Sequence, residues 1–298
     1  MVVQQEVHPN FFIIGAPKSG TTALSEYLRQ HPNILFSEPK EPHFFNDDFS
    51  HRHIDTFESY LKCFAQSIGQ EQAIGEGSVF YLYSQTAVSN ILRCYPDAQF
   101  IVMLRNPVEA VYSWHWEVMY SHGEDLEDFE AAWRAQKRRR QGEMLPRSNR
   151  VREALHYGPL FSYADQVQRL LDQVPKARVQ VILYDDLKKD PELVYQKTLR
   201  FLSLSPHQLE QYNRINPSKR LRWSWVERTI RSAGNIKRAI GITKRVGMLT
   251  RLQLWNTKYQ EKPPLRVDFR SELAEYFRDD VLRTAELIDQ DLSEWIND

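Results

Sequence analysis

The chain has 298 residues, of which 42% are apolar and 26% charged, with Lys plus Arg and Asp plus Glu equal at 39 each. This is a globular composition, which excludes a collagen, a low-complexity tail and a disordered chain. A net charge of zero argues against a nucleic-acid coat, and no nucleic-acid partner is expected. No apolar run reaches the roughly 18 residues of a membrane span. The first residues lack the basic start and apolar stretch of a secretory signal. The expectation is therefore a cytoplasmic protein.

In chain order, Phe11–Gly15 reads as a buried strand, and Thr21–His31 as a helix that Pro32 stops. Gln99–Leu104 is a second strand. Asn106-Pro107 then has the N-cap and first-turn chemistry of a helix running to about Tyr120. Phe161–Gln173 predicts an amphipathic helix, Val179–Tyr184 a third strand, Pro191–Leu204 a helix, and Ser271–Trp295 one or two closing helices. Apolar strands separated by helices predict an α/β fold with a central parallel sheet flanked by helices. The expected organisation is one domain over 1–298.

Residues 205–265 carry no clean period. Within them, Lys219 to Arg251 holds ten basic residues and a single acid, Glu227, a local charge of +9 balanced by −9 elsewhere. That stretch reads as a solvated lid on the substrate side, as an attractor for an anionic acceptor, or as a weak membrane-surface contact. The two cysteines, Cys63 and Cys94, cannot form a metal cage and fit free thiols better than a disulfide.

The most informative segment is Gly15-Ala-Pro-Lys-Ser-Gly-Thr-Thr22, between the first strand and the first helix. A glycine-bounded loop entering a helix N-terminus offers free backbone N–H groups to an anion. Lys18 adds a mobile charge, and Ser19, Gly20, Thr21 and Thr22 complete the P-loop-like cradle. A Walker A loop would place lysine directly after the second glycine, where Thr21 stands instead. Ninety residues on, Arg105 closes a strand and Ser113 follows in the next helix. A guanidinium fork and a hydroxyl suit a second phosphate.

Together these segments resemble sulfotransferases that use 3′-phosphoadenosine 5′-phosphosulfate (PAPS), in the heparan-sulfate-type and bacterial carbohydrate-type branch. The first loop resembles the family's 5′-phosphosulfate loop, and Arg105 with Ser113 resembles its 3′-phosphate segment. Ser37–Phe45, Val181–Pro191 and Asp291–Trp295 extend the likeness. Glu76-Gly-Ser-Val-Phe-Tyr81 resembles the family's E-K-[ST]-P-x-Y, with Gly77 in place of the lysine and Val79 in place of the proline. Asn216-Pro-Ser218-Lys219-Arg220 resembles a lysine-containing loop that closes over the cofactor, with Arg220 in place of its glycine.

The resemblance implies transfer of a sulfuryl group from PAPS to a hydroxyl or amine of a carbohydrate or other small acceptor, leaving 3′-phosphoadenosine 5′-phosphate (PAP), without a metal. Lys18 is the candidate for the leaving side. Glu41 is the candidate base, with His43 its competitor and Glu38 nearby. Ser218, Lys219 and Arg220 join the candidate cofactor ligands. The rival readings are a P-loop kinase or nucleotide hydrolase, and a nucleotide-binding module of the same fold without turnover.

Overall fold

A computed structural model of the chain describes residues 7–52, 54–67, 69–212 and 262–296, with the backbone alone of 219–221 and 257–259. Strand β1 (Phe11–Gly15) is followed by α1 (Thr21–Leu28), β2 (Ile34–Phe36), α2 (Phe57–Leu61), β3 (Ala73–Glu76) and α3 (Ala87–Cys94). Then come β4 (Gln99–Leu104), α4 (Pro107–Tyr120), α5 (Phe129–Arg140), α6 (Tyr157–Phe161) and α7 (Ala164–Leu171). Strand β5 (Val179–Leu183) precedes α8 (Tyr184–Lys189) and α9 (Pro191–Phe201). A ribbon of β6 (Lys219–Leu221) and β7 (Thr257–Tyr259) leads to the long α10 (Val267–Ile288).

Five strands form a parallel sheet in the order β2-β3-β1-β4-β5. Its central strands are apolar at successive positions because both faces are covered. Phe12, Ile14, Phe100, Val102 and Leu104 join one hydrophobic cluster with α3, α4, α6, α7 and α10. Phe11, Ile13, Ile101 and Met103 join the other, against Leu24 and Leu28 of α1 and Tyr195 and Leu199 of α9. Each such side chain, fully buried, stabilises the fold by about 1.5–3 kcal/mol. The predicted sheet and its helices are thus the observed architecture.

Helix starts follow local chemistry. The Asn106 side chain accepts from Val108 N–H at 3.0 Å with Pro107 in the first turn, and Asp190 accepts from Leu193 N–H at 2.9 Å ahead of Pro191. The helix expected over 161–173 is α7, which starts three residues later at Ala164, with the short α6 before it. Asp280 of α10 accepts from the backbone N–H groups of Tyr163 and Ala164 at 2.6 and 3.0 Å, capping α7 from a distant segment. Tyr184 opens α8 rather than ending a strand, and α10 starts four residues before the expected Ser271. Cys63 and Cys94 are both free thiols. Among the described residues no helix is long and apolar enough to cross a membrane.

Candidate active site

Strands β1 and β4 are neighbours whose connections diverge. The chain leaves β1 through α1 towards β2, and leaves β4 through α4 towards β5, on the opposite side of the sheet. The crevice at the carboxyl ends of such a pair is where open α/β sheets bind ligands. The loop after β1 lies at one side of it and Arg105 at the other. Gly20 caps α1 at φ +90°, and a Cβ there would stand 2.8 Å from Leu187 Cδ2 and 3.1 Å from Tyr184 Cδ2. Glycine is therefore required by both conformation and space. No side chain caps α1 and no acid stands in its first turn, which leaves its first N–H groups and positive end for an anion.

Cations converge on this crevice. Lys18, itself at φ +62°, donates from Nζ to Glu117 Oε2 at 2.9 Å. Arg105 Nη1 donates to Lys18 O at 3.4 Å, and its guanidinium stacks 4.6 Å from the centre of the Tyr184 ring. Glu109 lies 3.6 Å from Arg105 and 2.7 Å from Arg270. Lys262 donates from Nζ to Ser113 Oγ at 2.8 Å. Burial, then the like charges of Lys18 and Arg105, pushes the Lys262 ammonium down to about 8, against the pull of Glu109 and Glu117. Positive groups held this close to one another are relieved by an anion, so the donor set fits a ligand with separate phosphate groups.

A second group surrounds Glu41. Its Oε1 accepts from Lys40 Nζ at 2.8 Å, and its Oε2 lies 3.1 Å from His43 Nε2. Lys40 Nζ also donates to Thr21 Oγ1 at 3.1 Å, which ties this group to the phosphate loop. Burial acts to raise the Glu41 carboxyl, but the Lys40 ammonium and the His43 ring overcome it and hold the carboxyl at about 2. His43 Nδ1 is buried with no hydrogen-bond partner among the described residues.

The backbone that carries His43 is fixed by a buried carboxylate. Glu76 is fully buried at the end of β3; Ser78 donates to its Oε2, and Tyr81 donates to its Oε1 at 3.0 Å. Those two hydroxyls in turn accept from the 43–45 backbone: Ser78 Oγ from His43 N–H at 3.0 Å, Tyr81 from Phe44 and Phe45 N–H at 2.9 and 3.2 Å. Burial pushes the Glu76 carboxyl up to about 7 against the hydrogen bonds of Ser78 and Tyr81, with the Glu41 charge adding to the rise.

Of the residues singled out from sequence, the structure brings Lys18, Gly20, Thr21, Arg105 and Ser113 to one crevice and Glu41 and His43 beside it. Ser19 is fully buried, its hydroxyl 3.5 Å from Pro17 O, and Thr22 is half-buried on α1. Glu38 lies apart, 66% exposed and 3.8 Å from Arg29. Ser218 lies outside the described residues. Lys219 and Arg220 are described only as backbone of β6, which runs beside α4. Most of the basic 219–251 stretch likewise lies outside them. Sequence reasoning missed Lys40, Glu117, Tyr184 and Lys262. The adjacency of Lys40 to Glu41 was a usable signal; Lys262 sits before Pro263-Pro264 in a region without period. Among the described residues, no three His, Cys, Asp or Glu side chains stand together to hold a metal ion.

Comparison with known proteins shows the family. Residues 8–244 match the sulfotransferase domain family. The chain is 27% identical over 297 residues to the human bifunctional heparan sulfate N-deacetylase/N-sulfotransferase 3, a match covering 97% of this chain and 31% of that protein. It is 35% identical over 115 residues to a membrane-associated sulfotransferase of Dictyostelium discoideum, covering 38% of this chain and 24% of that one. The chain thus spans a third or less of the length of these curated relatives. The crystal structure of a sulfotransferase from Alicyclobacillus acidocaldarius superposes with a TM-score of 0.74 at 28% identity, covering 97% of this chain and 99% of that one. With a family match over most of its length and this fold around a phosphate-type crevice, the chain belongs to the sulfotransferase family, enzymes whose sulfuryl donor is PAPS.

Proposed function

We propose that the chain transfers a sulfuryl group from PAPS to an amine or hydroxyl of a carbohydrate acceptor. The observation that carries this reading is the meeting of Lys18, Arg105, Ser113 and Lys262 with the uncapped start of α1 in one crevice. The first loop and Lys18 would hold the 5′-phosphosulfate, and Arg105, Ser113 and Lys262 the 3′-phosphate. The bound donor supplies the sulfuryl group and a phosphate leaving group. Lys18 neutralises charge on the leaving side, and the α1 N–H groups steady the oxygens in place. Lys18, paired with Glu117 in the free protein, would turn from that carboxylate to the phosphosulfate.

Glu41 takes the acceptor proton at a carboxylate oxygen, and His43 orients that carboxylate through Nε2. Three features favour this division. The Glu41 side chain is 33% exposed against 17% for His43, the His43 Nδ1 is buried, and Glu41 is ionised throughout the working range. The same hold by Lys40 and His43 makes it a weak base at rest, so its proton affinity must rise as an acceptor displaces one of those partners. The glycan acceptor is supported by the human relative, a bifunctional heparan sulfate N-deacetylase/N-sulfotransferase.

The test is transfer of label from 35S-PAPS into de-N-sulfated heparan, which offers amines, beside unsulfated chondroitin, which offers only hydroxyls. Label in either glycan, lost in Glu41→Gln, supports the reading; label retained in Glu41→Gln removes Glu41 as base. Absence of label from both moves the acceptor outside glycans of these two kinds.

A further inference from the structure

The E-G-S sequence at 76–78 leaves Gly77 without a side chain where the similar family segment has a lysine. The structure shows what occupies that space. A Cβ built on Gly77 would stand 3.0 Å from Lys40 Cε, 3.6 Å from Lys40 Cγ and 3.3 Å from Phe36 Cζ. The Lys40 stem therefore lies across the bare face of Gly77. The backbone is tied there too, with Gly77 N–H donating to Lys40 O at 3.0 Å and Ser37 Oγ donating to the same carbonyl at 3.1 Å. Both ends of the Lys40 residue are thus fixed against the end of β3.

From that position the Lys40 side chain, only 15% exposed, makes two bonds through its ammonium, to Glu41 Oε1 at 2.8 Å and to Thr21 Oγ1 at 3.1 Å. Among the described residues, Lys40 is the side chain that hydrogen-bonds both the phosphate loop and the Glu41 carboxylate. The other charged or titratable groups around Glu41 are His43, on its second oxygen, and the buried Glu76.

We infer that Lys40 is a positioning residue that couples the donor loop to the carboxylate, and that Gly77 is the space that lets it do so: one cation, moved from position 77 to position 40. This rests on the proposed function for what the loop binds, while the link from Lys40 to Glu41 stands on geometry alone. Three consequences follow from the bonds. Thr21 is held by its hydroxyl at the first residue of α1, so losing Lys40 loosens the anion cradle. Glu41 loses the partner of one oxygen. A lysine returned to position 77 begins where the Lys40 stem now passes, within side-chain reach of the same two oxygens once residue 40 is shortened.

The test uses the full chain with four variants: Lys40→Met, which keeps the apolar stem; Lys40→Ala; Lys40→Ala with Gly77→Lys; and Gly77→Lys alone. PAP affinity is read by calorimetry. The Glu41 titration is read by carboxyl 13C NMR, which needs no ligand and which a merely structural role would leave in place. Loss of a charge-assisted bond to the loop weakens PAP binding about tenfold in Lys40→Met and Lys40→Ala. The expected rescue by the double variant is to within about threefold of the parent, and Gly77→Lys alone, which crowds the Lys40 stem, is weaker than the double variant. The Glu41 midpoint rises by about one pH unit or more in Lys40→Met and falls back in the double variant.

PAP affinity within about twofold of the parent in Lys40→Met overturns the link to the loop. An unmoved Glu41 midpoint overturns the link to the carboxylate. A double variant no better than Lys40→Ala overturns the exchange with position 77. If the parent chain itself binds no PAP, the proposed function falls, and the Glu41 midpoint still decides whether Lys40 governs that carboxylate.

Discussion

Lys18 Nζ sits 2.9 Å from Glu117 Oε2, so the cation of the loop after β1 is shared with the helix that carries Ser113. Both side chains reach solvent, at 26% and 45% exposure. An ion pair this open is worth at most about 1 kcal/mol, so a phosphate displaces it at little cost. Glu117 then remains as a like charge facing the ligand. Glu117→Gln should tighten PAP binding by about two- to fivefold, with the gain shrinking as salt rises. Calorimetry at low and high ionic strength checks this.

Arg105 brings a planar guanidinium to the crevice, its Cζ 4.6 Å from the centre of the Tyr184 ring. Arg105→Ala should weaken PAP binding by about ten- to a hundredfold, the loss of a charged hydrogen-bonding group. Arg105→Lys should recover little of it, because an ammonium neither stacks on the ring in the same way nor presents a fork. The same titration, run on both variants, separates charge from geometry.

The Lys262 ammonium, pushed down to about 8, gives a pH signature. Between that value and its ordinary value near 10.5, the unfolded chain binds more protons at this lysine than the folded one. The stability of the free protein should therefore rise with pH across that window through this group. A bound phosphate supplies the missing counter-charge and raises the ammonium again. PAP binding should take up a proton near and above pH 8, and weaken as pH climbs further. Calorimetry in two buffers of different ionisation enthalpy reads the proton; Lys262→Met should abolish that uptake.

Glu76 acts through Ser78 and Tyr81 on the 43–45 backbone. Its carboxyl, raised to about 7 in the fold, binds more protons folded than unfolded between its ordinary 4.5 and that value. Its contribution to stability therefore declines as pH rises through this window. Urea unfolding at pH 5 and pH 7.5 should show that decline in the parent chain and not in Glu76→Gln. The amide keeps one acceptor where two hydroxyls donate, so the loop behind Glu41 loosens. Turnover with a labelled acceptor should fall about tenfold or more, while PAP affinity stays within about twofold.

The sheet was readable from sequence where strands are central. Phe11–Gly15 and Gln99–Leu104 are apolar throughout because two layers of helices cover them, and the boundaries of both agree with the structure. Short β2 and β3 were not, because three or four residues carry too little pattern. The late start of α7 was hidden because Asp280, which caps it, is more than a hundred residues away. In the site, residues of one continuous loop are the ones sequence spacing can group, as with Lys18, Gly20 and Thr21 at the crevice. The pairing of Lys262 with Ser113 spans 149 residues, and that of Lys18 with Glu117 spans 99. Contacts of that kind follow from topology, which no local spacing encodes.

The proposed function requires this crevice to hold a nucleotide with phosphates at both the 3′ and 5′ positions. Calorimetric titration of the chain with PAP, beside ATP and AMP, decides whether it does. Each of the two controls lacks the 3′-phosphate proposed for Arg105, Ser113 and Lys262, and should bind at least about tenfold more weakly than PAP. No binding of PAP, or ATP binding equally well, would contradict the account and return the chain to the kinase-like or anion-binding readings.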